Sequence, residues 1–369
     1  MEKQAEVLKN NSSYLKACIL YEVLQKKPVF DSYRSFCKTI GDGAMEYVDF
    51  EYWFYRFYNE NCDFDHDRSL EPKQKTLVEL PVEVLSMITE KVEPMERVSF
   101  STVCKTIKGV CDITPKKLKY CKVSLFRNCF DIILDTTTIK YSGGEGVPSK
   151  LKINNEPEKE IQRDFLMAGK ETARRIFAMP HLQIENLILF DRERNAELSL
   201  PHNLYVKSVI INTREPNTVF GILEHLQSGT LERINLHSIV EPTNLALLLE
   251  SKHFLEAKEV DISHFGTVAT MEELRQFSHL EKFEVNYGNI TPEIAVRIRD
   301  MLSTFKVFKS CDISNYDLKF AEICRALGAS APKEPNGLIP VIHRTRVEGS
   351  RDYLEFGISE YSISVEKVH

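Results

Sequence analysis

Six times between residues 184 and 313 the chain repeats one pattern: an apolar residue, a second three positions on, and a third two positions after that. The sets are Ile184/Leu187/Leu189, Val206/Val209/Ile211, Leu231/Ile234/Leu236, Ala257/Val260/Ile262, Leu280/Phe283/Val285 and Phe308/Cys311/Ile313. Their first members are 22, 25, 26, 23 and 28 residues apart. Between the sets lie short helix candidates with start signals. Thr270-Met271-Glu272-Glu273 fits a capping box, in which a threonine and a glutamate each satisfy the other's backbone N–H. Thr291-Pro292-Glu293 offers a cap residue, a proline at the first helical position and an early carboxylate. A strand–helix unit of this size cannot bury its own apolar face, so neighbouring units have to stack on one another.

That period lies within the roughly 20–29 residues of leucine-rich repeats. The asparagine such repeats place after the strand is mostly missing, so the expectation is an irregular leucine-rich-repeat-like α/β solenoid. Strand alternation turns Leu187 and Leu189 inward and their neighbours outward. The expected outer strip is Ile188, Ile210, Asn235, Asp261, Glu284 and Asp312, apolar at its start and acidic later. This strip is the candidate substrate-binding surface. Residues 353–368 alternate like a terminal hairpin that covers the open edge.

The region before the repeats has a different texture. Residues 119–126, 129–135 and 137–141 are rich in β-branched and aromatic residues and read as strands ending at Gly143-Gly144. A helix is expected over about 158–179. Residues 13–68 are crowded with aromatics and carry three apolar stripes at helical spacing, broken at Lys27-Pro28 and Gly41-Asp42-Gly43, with Asp49 as the cap of the third. Two short helices and a longer one make a helix-turn-helix-like bundle. A polar linker over 69–76 follows. The whole is α+β and multidomain: 13–68 helical, 77–117 a helical hairpin unit, and 118–369 the repeat domain.

The 77–117 segment is the most specific. Leu80-Pro81-Val82-Glu83-Val84-Leu85 opens a helix on which Val84, Leu85, Ile88 and Val92 share a face, Pro94 breaks it, and Glu96 begins the next, carrying Val98, Val103 and Ile107. So few helical residues bury too little to stand alone and must pack on neighbours and on a partner. Leu80, Pro81, Glu83, Val84, Ile88, Val92, Pro94, Glu96, Val103, Cys104 and Lys105 resemble an F-box, although Thr106-Ile107-Lys108 lacks the tryptophan that often follows the Cys-Lys pair.

The flanks agree. Ala17–Gln25, Phe30-Asp31-Ser32-Tyr33 and Phe50–Phe57 resemble the N-terminal domain of nematode F-box A proteins, which is similar to the helix-turn-helix of mariner-type transposases. Thr138–Gly143 and the repeats resemble the FTH domain of the same family. The resemblance implies a subunit of an SCF ubiquitin ligase. It implies contact with a Skp1-like adaptor, and through it a cullin, by Leu80, Pro81, Val84, Leu85, Ile88, Val92, Pro94, Val98 and Val103. It implies a protein target for the C-terminal domain.

Composition narrows the alternatives. The net charge is −6 and the pI about 6.0, whereas a nucleic-acid binder usually carries a basic excess. From Tyr14 to Arg68 the balance is acidic, which opposes phosphate contacts. DNA binding by the helix-turn-helix-like region is therefore the alternative reading. The basic run 116–122 is expected on the solvated face of an edge strand. Asp63-Phe64-Asp65-His66-Asp67 starts like a calcium loop but has Arg68 where the turn needs glycine and Gln74 where the loop needs glutamate. Gly143–Gly146 reads as a linker, and His253 and His264 as surface or satisfied core residues. No nucleophile elbow or zinc motif is present, so neither catalysis, a metal nor a cofactor is expected. Nine scattered cysteines read as reduced thiols of a cytoplasmic or nuclear protein. No run approaches the ~18 apolar residues of a membrane helix.

Overall fold

The computed structural model describes residues 7–67, 76–144, 146–191, 198, 200–238, 245–266, 268–315, 318–330 and 339–369. The expected boundary at Arg68 and most of the 69–76 linker lie outside the described residues. The chain divides into two compact units, Met1–Thr76 and Leu77–His369.

The first unit is helical: α1 (Ser12–Leu24), α2 (Val29–Ile40) and α3 (Tyr47–Tyr58). Asn11 caps α1 by accepting from the Ser13 and Tyr14 N–H groups, and Gly41, with φ +112, ends α2 in a conformation that suits glycine. The helix α3 starts two residues before Asp49, with Glu46 at its N-cap, so Asp49 belongs to its first turn rather than its cap. Leu15, Ile19, Phe36, Ile40, Phe50, Trp53, Phe54 and Phe57 form a closed core. The aromatic residues of this core serve packing: Phe36 meets Phe50 at 5.1 Å and Lys16 lies over the Trp53 ring at 3.9 Å.

The second unit begins with α4 (Val82–Lys91), α5 (Pro94–Ser101) and α6 (Lys105–Ile113) and continues into one large sheet. Its strands are β1 (Lys116–Phe126), β2 (Cys129–Leu134), β3 (Thr137–Gly144), β4 (Val147–Ile153), β5 (Lys159–Glu160), β6 (Leu182–Asp191), β7 (Tyr205–Thr213), β8 (Arg233–Ser238), β9 (Glu259–His264), β10 (Lys282–Asn286), β11 (Ser310–Ser314), β12 (Val341–Arg346), β13 (Tyr353–Ile358) and β14 (Ser362–Val368). The order across the sheet is β12-β13-β14-β11-β10-β9-β8-β7-β6-β1-β2-β3-β4-β5. The strands β6 to β11 are parallel neighbours in chain order, one per sequence repeat. Between them run α8 (Pro216–His225), α9 (Leu245–Leu249), α10 (Lys252–Glu256), α11 (Met271–Arg275) and α12 (Pro292–Ser303), with α13 (Phe320–Leu327) after β11. All the residues of the six apolar sets are buried in a single core with these helices.

The expected helix over 158–179 is α7 (Phe165–Phe177), shorter at its start because the Asp164 carboxylate accepts from the Leu166 and Met167 N–H groups and fixes the N-terminus there. Gly143 and Gly144 end β3, and Gly144 pairs with Val147 of the antiparallel β4, so they belong to the sheet rather than to a linker. The basic run also differs from expectation. It lies in β1, an interior strand parallel to β6 and antiparallel to β2, not an edge. Lys116 is buried, and its ammonium donates to the Val92 carbonyl at 2.8 Å. The terminal hairpin β13–β14 adds to β11, and β12 takes the edge beyond it.

One close approach sets how α7 seats on the sheet. A Cβ at Gly169 would fall 2.5 Å from Cδ1 of Phe130, a fully buried ring. Alanine in a helix gains about 1 kcal/mol over glycine, yet overpacking a rigid ring costs about 1–3 kcal/mol. Gly169→Ala is expected to lower the urea midpoint of the full chain. A midpoint at or above wild type means that α7 does not press on Phe130.

Candidate functional site

The two candidate surfaces lie in the second unit. The first is the hairpin α4–α6. Its inner side is fixed by Arg97, which is only 3% exposed. The Arg97 guanidinium donates to the Cys111 carbonyl at 2.6 Å and to the Thr114 carbonyl, tying α5 to the end of α6. Burial depresses its pKa, opposed by the nearby Cys111, Asp112 and Glu90. Thr89 returns its hydroxyl to the Leu85 carbonyl at 2.7 Å, and Met95 packs against the core of the sheet. Together with Lys116 on Val92, these contacts join the hairpin to β1.

The expected contact residues divide between two sides. Leu85 is 1% exposed and Pro94 is buried, so both support the hairpin from within. In the free chain these two of the expected contact residues thus lie on the packed side of the hairpin, with Ile107 and Val110 also buried. Leu80, Ile88, Val92 and Val98 are half-buried, whereas Pro81, Val84 and Val103 are exposed. The sequence reading missed four exposed apolar residues beside them: Leu77, Val78, Val82 and Met87, the last 66% exposed. Met87 sits one turn after Val84, and that i, i+3 spacing was the available signal.

The second surface is the sheet face away from the helices. The strip Ile188, Ile210, Asn235, Asp261, Glu284 and Asp312 is one row in strict register across β6 to β11. Lys122 extends it on β1, and Ser364 on β14. Five of the six are half-buried, and Glu284 is more exposed though its carboxyl is still partly desolvated within the row. Asn235 donates to Asp261 at 2.7 Å, and the Ser263 hydroxyl to the other oxygen of Asp261 at 2.7 Å. Ser314 donates to Asp312 at 3.2 Å. Burial, then Asp261 and Asp312, raise the Glu284 pKa. Burial raises that of Asp312, with Asp261 adding to it and serine hydroxyls opposing it. His237 and His264 stack at 5.2 Å on the same face, and burial lowers the His237 pKa against the pull of Asp261. At the other end of the row, Phe126 and Phe190 meet at 6.3 Å.

Of the two histidines singled out in the sequence, His264 is exposed, whereas His253 is a core residue whose Nδ1 has no hydrogen-bond partner. His253 is buried in α10, where burial lowers its pKa. Among the described residues no cluster of His, Cys, Asp or Glu suits a metal ion. No described helix is long and apolar enough to cross a membrane. In the helical unit, the outward side of α3 shows Val48, Tyr55 and Tyr58, and its one basic residue, Arg56, donates to Asn61 at 3.1 Å.

Three family models match, in the order in which the units occur. The model of the HTH domain in Mos1 transposase covers residues 12–61, that of the F-box domain 77–119, and that of the FTH domain 194–330. The chain is 27% identical to F-box A protein 224 of Caenorhabditis elegans over 331 residues, 82% of this chain and 82% of that protein. The chain thus carries an HTH, an F-box and an FTH domain in this order and is similar over most of its length to an F-box A protein. Over 101 residues, 27% of this chain and 24% of the other, it is 33% identical to F-box A protein 155 of the same organism. No solved structure matches the chain. The F-box match spans α4 to α6 and the FTH match spans β7 to α13, so Thr138–Gly143 in β3 lies outside the matched FTH residues. These domains and relatives support the role of an F-box substrate adaptor.

The three carboxylates provide a test of the shared field. A raised carboxylate pKa means that ionisation disfavours the fold: the penalty is full above the folded midpoint and fades as pH falls through it. Asp261→Asn removes one repulsive neighbour from both Glu284 and Asp312. Carboxyl-carbon NMR titration should then show both midpoints lower than in wild type, still above ordinary values because burial persists. Unmoved midpoints would separate the three groups electrostatically.

Proposed function

We propose that the chain is the substrate-recognition adaptor of an SCF-type E3 ubiquitin ligase. On this reading the exposed side of the F-box hairpin binds a Skp1-like subunit, and through it a cullin. The open face of the sheet, an irregular leucine-rich-repeat-like surface, holds a protein target. The observation that carries the reading is a hairpin tied together from within by Arg97 on the Cys111 and Thr114 carbonyls while Pro81, Val84, Met87 and Val103 stay in solvent. Apolar side chains left outside a well-made interior are what an interface core is built from.

No residue of this chain makes or breaks a bond in such a role. The gain is proximity, because tethering turns a rare encounter into an effectively intramolecular one. The target is a protein offering a basic segment beside an apolar anchor, matched to Asp261, Glu284 and Asp312 at one end of the row and to Ile188 and Ile210 at the other. Work in the cytoplasm or nucleus fits this role. DNA binding through the helical unit fits less well, since the outward face of α3 is apolar and aromatic rather than basic.

Two measurements test the two surfaces separately. Val84→Asp with Met87→Asp leaves Leu85 and Arg97 in place, so the hairpin keeps its fold. It is expected to weaken binding to a purified Skp1-like subunit by about 100-fold or more, since a few central anchors dominate an interface. Unchanged affinity with unchanged melting places the contact elsewhere. Asp261→Lys with Glu284→Lys should cut target capture and its salt sensitivity while leaving the Skp1-like contact intact. Undiminished capture moves the docking site to the loops.

A further inference from the structure

The helical unit holds a feature that the adaptor role does not use. Glu22, on the inner side of α1, is 7% exposed. Its Oε1 accepts the Ser35 hydroxyl from α2 at 2.8 Å, and its Oε2 has no partner. The carboxylate lies against an apolar cavity of about 310 Å³ between α1 and α2, walled by Tyr14, Ala17, Tyr21, Phe36 and Ile40. A buried carboxylate with one idle oxygen costs free energy unless a cation or donor reaches it. Every other wall of the cavity is a ring or an alkyl group, apart from Cys18 and Thr39.

The helix α1 is also apolar on its outward side. Tyr14, Tyr21 and Leu24 recur at helical spacing and are 48%, 61% and 68% exposed. The closed aromatic core already takes Leu15 and Ile19 from the opposite side. A second apolar stripe on a helix whose core stripe is satisfied marks a place for another surface.

We propose that this cavity receives a lysine side chain from a partner protein, with apolar residues beside that lysine covering Tyr14, Tyr21 and Leu24. Charge complementarity selects a cation, because the buried atom of the lining that lacks a partner is a carboxylate oxygen. The choice of lysine over arginine follows from the same oxygen. An ammonium needs only the idle Oε2, whereas a bidentate guanidinium fork would have to share Oε1 with Ser35. The four-carbon stem of lysine lies along tyrosine rings and an alanine methyl, as amphipathic side chains do when the head group alone is polar. The proposal stands independently of the F-box reading, since it uses only the first unit.

The test uses the full chain with labelled methyl groups and three acetylated, amidated pentapeptides, Ala-Leu-Lys-Leu-Ala and its arginine and acetyl-lysine counterparts. The lysine peptide is expected to shift the Ala17 and Ile40 methyl resonances to saturation. The arginine peptide should bind about fivefold more weakly and the acetyl-lysine peptide about tenfold more weakly, roughly the loss of one charge-assisted bond. Glu22→Gln keeps the shape and an oxygen for Ser35 and should weaken lysine-peptide binding about tenfold. Tyr21→Ser, on the exposed rim, should weaken it with no change in melting. Absence of methyl shifts, equal binding of the lysine and acetyl-lysine peptides, equal or tighter binding of the arginine peptide, or undiminished binding by Glu22→Gln overturns the proposal.

Discussion

Strand register is the constraint on which the second unit depends. Side chains alternate across a strand, so a slip of one residue would carry every apolar set of β6 to β11 from the helix-covered face into water. The pairing runs without a slip from Ile188 to Ile210, Asn235, Asp261, Glu284 and Asp312. Burial of the apolar rows therefore also fixes the row on the other face. That row crosses from aliphatic to acidic because nothing in the core selects its residues. Besides burial, Asp261 and Asp312 raise the Glu284 pKa and Asp261 raises that of Asp312, a cost that the fold bears and that a basic partner would offset.

The F-box hairpin depends on the sheet in a different way. Three short helices bury little among themselves, and Arg97 and Lys116 supply the missing constraint. Each is a cation turned inward, and each donates to backbone carbonyls at a helix end, where carbonyls lack intrahelical partners. The geometry leaves Val84 and Met87 outside while Leu85 goes in. A partner meeting this surface meets a hairpin already held in shape, which lowers the ordering cost of association.

Much of this was legible in the sequence, for physical reasons. The repeat gave the six parallel strands because the burial period and the sequence period coincide. The Leu80-Pro81 entry and the Pro94 break gave the hairpin because proline dictates where a helix starts. Less was legible where tertiary context overrides local pattern. Lys116 to Lys122 looks like a solvated edge because lysine is seldom interior, yet Lys116 is buried against the Val92 carbonyl and β1 joins the parallel strands to the antiparallel ones. Leu85 and Val84 are adjacent and both apolar, so spacing alone does not say which faces inward. Four exposed apolar residues around them escaped notice because exposure is a property of the packed hairpin. Glu22 carries no signal at all: one glutamate in a helix reads as solvated until Ser35 and the cavity are placed around it.

The central claim is that the exposed side of the F-box hairpin is the docking face for a Skp1-like subunit. Hydrogen–deuterium exchange of the full chain, with and without the purified subunit, tests it most directly. Slowed exchange over 77–91, with α7 and β6 to β11 unchanged, is the predicted result. Protection confined to the sheet or to the helical unit, with 77–91 exchanging as in the free chain, would contradict it.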